Sequence, residues 1–206
     1  MMAKTHLTMG IASSLVASFF VMQPQSFSDN LIILAGGALG GILADVDTVN
    51  NDYKCDALIG QLLGLSIFIL VTVFDYFMKL GVCDYVINKN KIPSIIAGIA
   101  FAVLYIIGFA SKHRTFTHSL LAMALFTGCF SLILPRLGFS ILIGYTSHLL
   151  LDLLNKKGVP LLYPLKKRIC FGLCYANKTA NTVFMFIGFA ATLGLSGYRL
   201  YPYIIH

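Results

Sequence analysis

His148 and Asp152 stand four residues apart in an apolar stretch, Ile141 to Leu154, flanked by Leu149, Leu150, Leu151, Leu153 and Leu154. On a helix, residues at that spacing share a face, and an imidazole with a carboxylate there can grip a single divalent ion. The pair could equally bond each other or a neighbouring helix. A second acidic element, Asp45-x-Asp47, follows Gly41-Ile42-Leu43-Ala44 at the C-terminal end of a segment of small residues. The helix macrodipole disfavours negative charge at such an end, so a cation would relieve the site. An ordinary acidic loop is the alternative there, and the simpler reading for Asp52 and Asp56.

The run Lys112-His113-Arg114-Thr115-Phe116-Thr117-His118-Ser119 opens another apolar stretch, with Thr117 or Ser119 placed to cap a helix. A helix N-terminus with Arg114 beside it forms a cradle for an anion such as phosphate. A helix start carrying interfacial histidines is the bland alternative. His6 precedes the first apolar stretch, where a lone histidine is more often interfacial than a ligand, and His206 is terminal. The stretch from Lys156 to Arg168, basic and punctuated by Pro160 and Pro164, reads as an interfacial loop that controls topology or forms a rim gripping substrate.

These residues need elements to position them, and composition names the setting. Hydrophobic residues make up 58% of the 206, charged residues 11%, and the mean hydropathy is +0.84, too little polarity to coat a soluble globule. The expectation is an all-α polytopic membrane protein of about five to seven embedded helices, one domain over residues 1–206, with no linker or repeat. Apolar stretches fall near 7–22, 30–44, 58–78, 92–110, 117–134, 138–154 and 182–203. The third, fourth, fifth and seventh are long enough to span, and the other three are short, so tilted, re-entrant or buried. Gly36, Gly37, Gly40 and Gly41 in the second would let another helix approach closely. Lys4 with the stretch that follows looks like a secretory signal, but no small-x-small cleavage site follows, and a retained helix is expected.

If all seven stretches cross, ten of the 15 Lys and Arg, Lys4 among them, share one side, while Lys79, Lys89, Lys91, Arg136 and Arg199 lie on the other. The positive-inside tendency then places the Lys4 side in the cytoplasm. The same threading gathers His6, Asp45, Asp47, His113, Arg114, His118, His148 and Asp152 at that side. Ionisable groups at membrane depth are expensive enough to be functional suspects. The net charge of +7 is spread over short loops, which points to anionic lipid headgroups and not to nucleic acid. Five scattered cysteines make no disulfide framework. Cys170-x-x-x-Cys174 lacks a second pair or a nearby histidine, so reduced loop cysteines are favoured over a metal site.

Taken in order, Thr5-His6, the Gly-rich segment to Asp45-x-Asp47, His113-Arg114-x-x-Thr117-His118-Ser119, His148-x-x-x-Asp152 and Leu162-Tyr163-Pro164-Leu165 resemble the YdjM-like family of membrane-bound predicted metal-dependent hydrolases. That family is in turn similar to the zinc-dependent phospholipase C and single-strand nuclease superfamily, whose all-helical sites bind two or three zinc ions and cleave phosphoesters. The resemblance implies His6, Asp45, His113 or His118, His148 and Asp152 as metal ligands and Arg114 as a phosphate contact. The soluble zinc phospholipases carry a second His-x-x-x-Glu pair, whereas this chain has no Glu and only His206 after Asp152, so one or two ions are expected instead of three.

The expectation is therefore a metal-dependent hydrolase of the bacterial plasma (inner) membrane, with zinc the favoured ion. It would cleave a phosphoester, conceivably of a phospholipid, at the cytoplasmic interface. Asp45, His148 and Asp152 would be ligands with His118 or His113, and Asp47 or the spare histidine would orient a ligand or move protons. A metal or ion transporter is the competing class. It would carry polar residues past the midplane, and the fourth, fifth and seventh stretches carry almost none.

Overall fold

A computed structural model describes residues 2–21, 23, 26–50, 54–165, 167–173 and 179–205. Asp52, Lys166, Cys174, Lys178 and His206, with the side chain of Asp56, lie outside the described residues. Among the described residues eight α-helices run in order: α1 (Ala3–Phe20), α2 (Phe27–Leu43), α3 (Lys54–Met78), the short α4 (Val82–Asp84), α5 (Lys91–Ala110), α6 (Leu120–Ile133), α7 (Pro135–Leu154) and α8 (Thr179–Ile205). A tight 3-10 segment, Ala44–Asn50, continues α2. Among the described residues there is no strand, and Val159 and Ile169 form an isolated antiparallel bridge. The fold is all-α and polytopic.

Local chemistry sets the helix ends. Ser26 accepts from the Asp29 amide at 3.1 Å while its own amide donates to Asp29 Oδ2 at 3.1 Å, a reciprocal cap that starts α2 well before residue 30. Pro135 occupies the first turn of α7, where its missing N–H leaves nothing unpaired. Both helices therefore outgrow the stretches at 30–44 and 138–154 that sequence marks as short. Among the described residues five segments are long and apolar enough to cross a membrane: Phe27–Thr48, Leu58–Met78, Lys91–Ala110, Pro135–Leu154 and Thr179–Tyr201. The stretch at 117–134, expected to span, is instead a 14-residue helix that rises about 21 Å, short of a hydrocarbon core about 30 Å thick. It shortens because Ser119 is the N-cap, accepting from the Ala122 amide at 3.1 Å, so residues 117–119 belong to the preceding loop.

Helices α2 and α7 are largely buried and pack on each other and on α1, while α3, α5 and α8 leave most of their apolar surface outward. The α1–α2–α7 contact is one of backbone on backbone. A Cβ at Gly144 would sit 2.6 Å from the Gly37 carbonyl oxygen, and a Cβ at Gly10 also 2.6 Å from that oxygen. The glycines of α2 thus do bring neighbouring helices close, on two sides at once. Leu39, Phe126, Ile141, Tyr145 and Leu149 fill one side of this centre, and Leu7, Leu15, Ile33 and Ile42 the other.

At the end of the bundle opposite residues 45–47, Arg136 pairs with Asp29. Arg199 is buried against α1, donating to the Leu15 carbonyl at 3.1 Å and lying 3.8 Å over the Phe19 ring, rather than sitting in a loop.

Candidate metal centre

Four elements end at one face of the bundle: the N-terminus of α1, the 3-10 segment after α2, the α5–α6 loop and the C-terminal turns of α7. His6 lies in the first turns of α1 and not before the helix, because α1 begins at Ala3. His6, His118 and His148 are fully buried and converge on Asp45 and Asp152. His6 Nε2 stands 3.5 Å from Asp152 Oδ1, and His118 Nε2 stands 3.4 Å from Asp152 Oδ2 and 3.8 Å from Asp45 Oδ1. His148 Nε2 stands 3.7 Å from Asp45 Oδ1. His6 stacks on His148 with ring centroids 3.7 Å apart.

None of these three Nε2 atoms has a hydrogen-bond partner. Leaving one buried polar group unpaired costs about 1–3 kcal/mol, so three at one point require an explanation. The separations supply it. Two ligand atoms each about 2.0–2.1 Å from a tetrahedral ion stand about 3.3–3.5 Å apart, and nitrogen with carboxylate oxygen is the donor set zinc and similar ions take. Among the described residues two triples come near that spacing, His6–His148–Asp152 and Asp45–His118–His148, each with its ligand atoms within 4.8 Å of one another, so that small side-chain shifts would close on an ion. The residues therefore fit a divalent ion. Because His148 Nε2 has one lone pair, it serves one ion only, and a second ion would have to lean on shared carboxylates.

Outer contacts aim these ligands. His148 Nδ1 lies 2.7 Å from the Gly41 carbonyl oxygen, which only accepts, so Nδ1 carries the proton and Nε2 presents its lone pair to the cluster. The glycine contact between α2 and α7 makes that bond possible. Thr117 Oγ1 lies 3.1 Å from His118 Nδ1, and the Tyr145 hydroxyl donates to the Thr117 carbonyl, fixing the loop from inside.

Asp47 stays out of both triples and organises the α5–α6 loop. It accepts from the Arg114 amide at 2.9 Å and from Thr117 Oγ1 at 2.6 Å, and its Oδ1 lies 3.0 Å from His113 Nδ1. His113 is thereby drawn to Asp47, with a quarter of its side chain exposed, while His118 takes the place in the cluster. Arg114 has a left-handed backbone (φ 57°), strain of about 1–3 kcal/mol that the Asp47 bond holds in place. Its Nη2 pairs with Asp152 Oδ2 at 3.0 Å, while Nε and Nη1 are buried without partners.

His118 precedes α6 and lies outside the spans. Burial works against its charged form, but Asp47 and Asp152 outweigh that, and the pKa is pushed up to about 9. Sequence reading missed Tyr145 and the Gly41 carbonyl. Tyr145 could have been found, since it sits three residues before His148 on the same helical face.

Chemistry and architecture define a class: a polytopic helical membrane protein with a buried cluster of three histidines and two aspartates at one end of its bundle. The chain belongs to the YdjM inner membrane protein family, whose family model matches residues 1–203. Over 66 residues, 29% of this chain, it is 42% identical to the inner membrane protein YdjM of Escherichia coli and to that of Shigella flexneri. That match spans only 34% of the length of each of those relatives. It is 28% identical over 171 residues to the uncharacterized protein YvsG of Bacillus subtilis, covering 82% of this chain and 77% of YvsG. No solved structure matches.

Proposed function

We propose that this protein is a membrane-bound metal-dependent hydrolase that cleaves a phosphoester, of a lipid by preference, at the cytoplasmic interface. One observation carries the reading: three buried, unpartnered imidazole nitrogens stand 3.4–3.8 Å from two carboxylates. His6, His118, His148, Asp45 and Asp152 would hold the ion, zinc being favoured by that donor set. When bound, a divalent ion supplies Lewis acidity that activates water and polarises an ester oxygen. Arg114 offers two unpartnered nitrogens, Nε and Nη1, beside Asp152, and their N–H groups suit a phosphoryl oxygen. His113, partly exposed and oriented by Asp47, relays protons between water and the site.

The transporter reading needs a path onward from the cluster. Below it, Gly10, Gly37, Gly41 and Gly144 press three backbones together, with no width for an ion. Further along α1 and α7 the buried polar groups are hydroxyls already bonded to carbonyls: Ser14 to Ser140, Ser18 to Leu15 and Ser140 to Arg136. Such a seal supports a one-sided site. The excess of basic loop residues on the site's side supports a cytoplasmic orientation.

The test is elemental analysis of detergent-purified wild type beside Asp152→Ala, followed by a phospholipid and polyprenyl-phosphate hydrolysis screen. Wild type should hold one or two divalent ions per chain and the variant should lose them. If wild type holds none after growth with zinc or manganese, the hydrolase reading fails.

A further inference from the structure

Asn155 closes α7, three residues beyond Asp152, and its backbone leaves the helix in an extended conformation (φ −78°, ψ 142°) while its amide donates to the Asp152 carbonyl at 3.2 Å. The side chain is 2% exposed, and its Nδ2 has no hydrogen-bond partner. An amide NH2 at a helix end ordinarily finds a carbonyl or water, and the segment that follows α7 folds back onto the start of α6. Leu161 accepts from the Leu120 amide at 3.0 Å, and Tyr163 packs edge-on against Phe116 at 5.8 Å. Arg114, pinned to the Asp152 carboxylate by Nη2 at 3.0 Å, keeps Nε and Nη1 equally buried and unpartnered. Arg114 thus brings unpaired donors against the Asp152 carboxylate, and Asn155, three residues further along α7, brings another buried unpaired N–H group to the same helix end.

We infer that Asn155 is a second substrate-binding residue, its Nδ2 forming with Arg114 Nε and Nη1 a subsite that takes the non-bridging oxygens of a phosphoester. This deepens the proposed hydrolase reading and rests on it. Arg114 supplies charge, and Asn155 supplies a neutral donor from the last turn of α7, three residues beyond Asp152, so the phosphoryl group is held beside the residues proposed to bind the ion. The shared ligand chemistry is a tetrahedral phosphate oxyanion, whether free or borne by a lipid.

The experiment uses the full-length zinc-loaded protein in detergent and titrates inorganic phosphate and, separately, a short-chain phosphatidic acid by calorimetry, with metal content counted on each sample. Asn155→Leu should keep its metal and thermal midpoint, since it removes an unpaired buried donor, and should bind both ligands roughly tenfold more weakly, the loss expected for one hydrogen bond to a charged group. Equal weakening of both ligands marks the phosphate group as what is recognised, and weakening of phosphatidic acid alone assigns the subsite to the lipid-borne form. Asn155→Asp, of the same shape but with acceptors in place of donors, should abolish phosphate binding with metal retained, and it decides the matter if the leucine variant does not fold. Unchanged affinity for both ligands in the two folded variants overturns the inference, as does loss of metal in Asn155→Asp. A wild type without metal refutes the hydrolase reading separately, while phosphate binding that still weakens in Asn155→Leu would leave the anion subsite standing.

Discussion

Gly144→Ala tests whether the helix crossing sets the geometry of the cluster. The added Cβ would meet three backbone atoms, Gly37 O at 2.6 Å, Gly41 N at 3.1 Å and Gly40 Cα at 3.2 Å, none of which can rotate aside. Ordinary contact begins near 3.4 Å, so α7 must withdraw from α2 by about 0.8 Å. His148 lies one turn further along α7, and the same shift would stretch its 2.7 Å bond to the Gly41 carbonyl to about 3.5 Å, beyond useful hydrogen-bond range. Overpacking of this kind costs about 1–3 kcal/mol of stability, and loss of an outer-shell partner of a metal-binding histidine lowers affinity about 10–100-fold. The assay is a competition titration of zinc against a chromophoric chelator on the purified protein. Gly98→Ala on α5 is the control, since nothing lies within 4 Å of a Cβ there. If Gly144→Ala binds zinc as tightly as wild type, the crossing does not position His148 and the argument from close approach is refuted.

Two further outcomes follow from the geometry. Because the pKa of His118 is raised to about 9, a proton competes with the ion below that pH, so zinc affinity should climb about tenfold per pH unit between pH 6 and 8; a flat profile would exclude His118 as a ligand. The same shift means the metal-free protein loses stability as pH rises through 9, the opposite sign to metal binding. The loop after α7 exposes Leu162, Leu165, Phe171 and Leu173 beside Lys156, Lys157, Lys167 and Arg168, a pattern suited to an anionic headgroup layer. The chain has no Trp, so Leu165→Trp in nanodiscs gives a single reporter that brominated lipids should quench; emission typical of free water would place the loop away from the bilayer.

Much of the cluster was legible because the side chains that converge there are polar residues in apolar surroundings. His148 and Asp152 announce themselves by spacing, and alternation of the helices brings His6 and Asp45 to the same end. Which of His113 and His118 faces Asp45 and Asp152 was beyond sequence, because it depends on the loop path that Asp47 sets by binding His113, the Arg114 amide and Thr117 across more than 60 residues of chain. Helix lengths misled for a related reason. Ser26 and Pro135 extend α2 and α7 through capping chemistry, and Ser119 withdraws residues 117–119 from α6, whereas a count of apolar residues registers neither effect.

The glycines and the cluster make one device when their energetics are taken together. Three buried imidazoles facing two carboxylates are unfavourable unless something occupies the space between their nitrogens and oxygens. Side chains of larger size on α2 would relieve them by parting the helices and admitting water, yet Gly37, Gly40, Gly41 and Gly144 hold α1, α2 and α7 in backbone contact directly below. The same contact lets a main-chain carbonyl, which has no rotamers to lose, lock the His148 tautomer. Close packing below the cluster is therefore also what holds His148 with Nε2 turned toward the cluster. A conduit would need those two properties in different places, and the one-sided metal site proposed above needs them together.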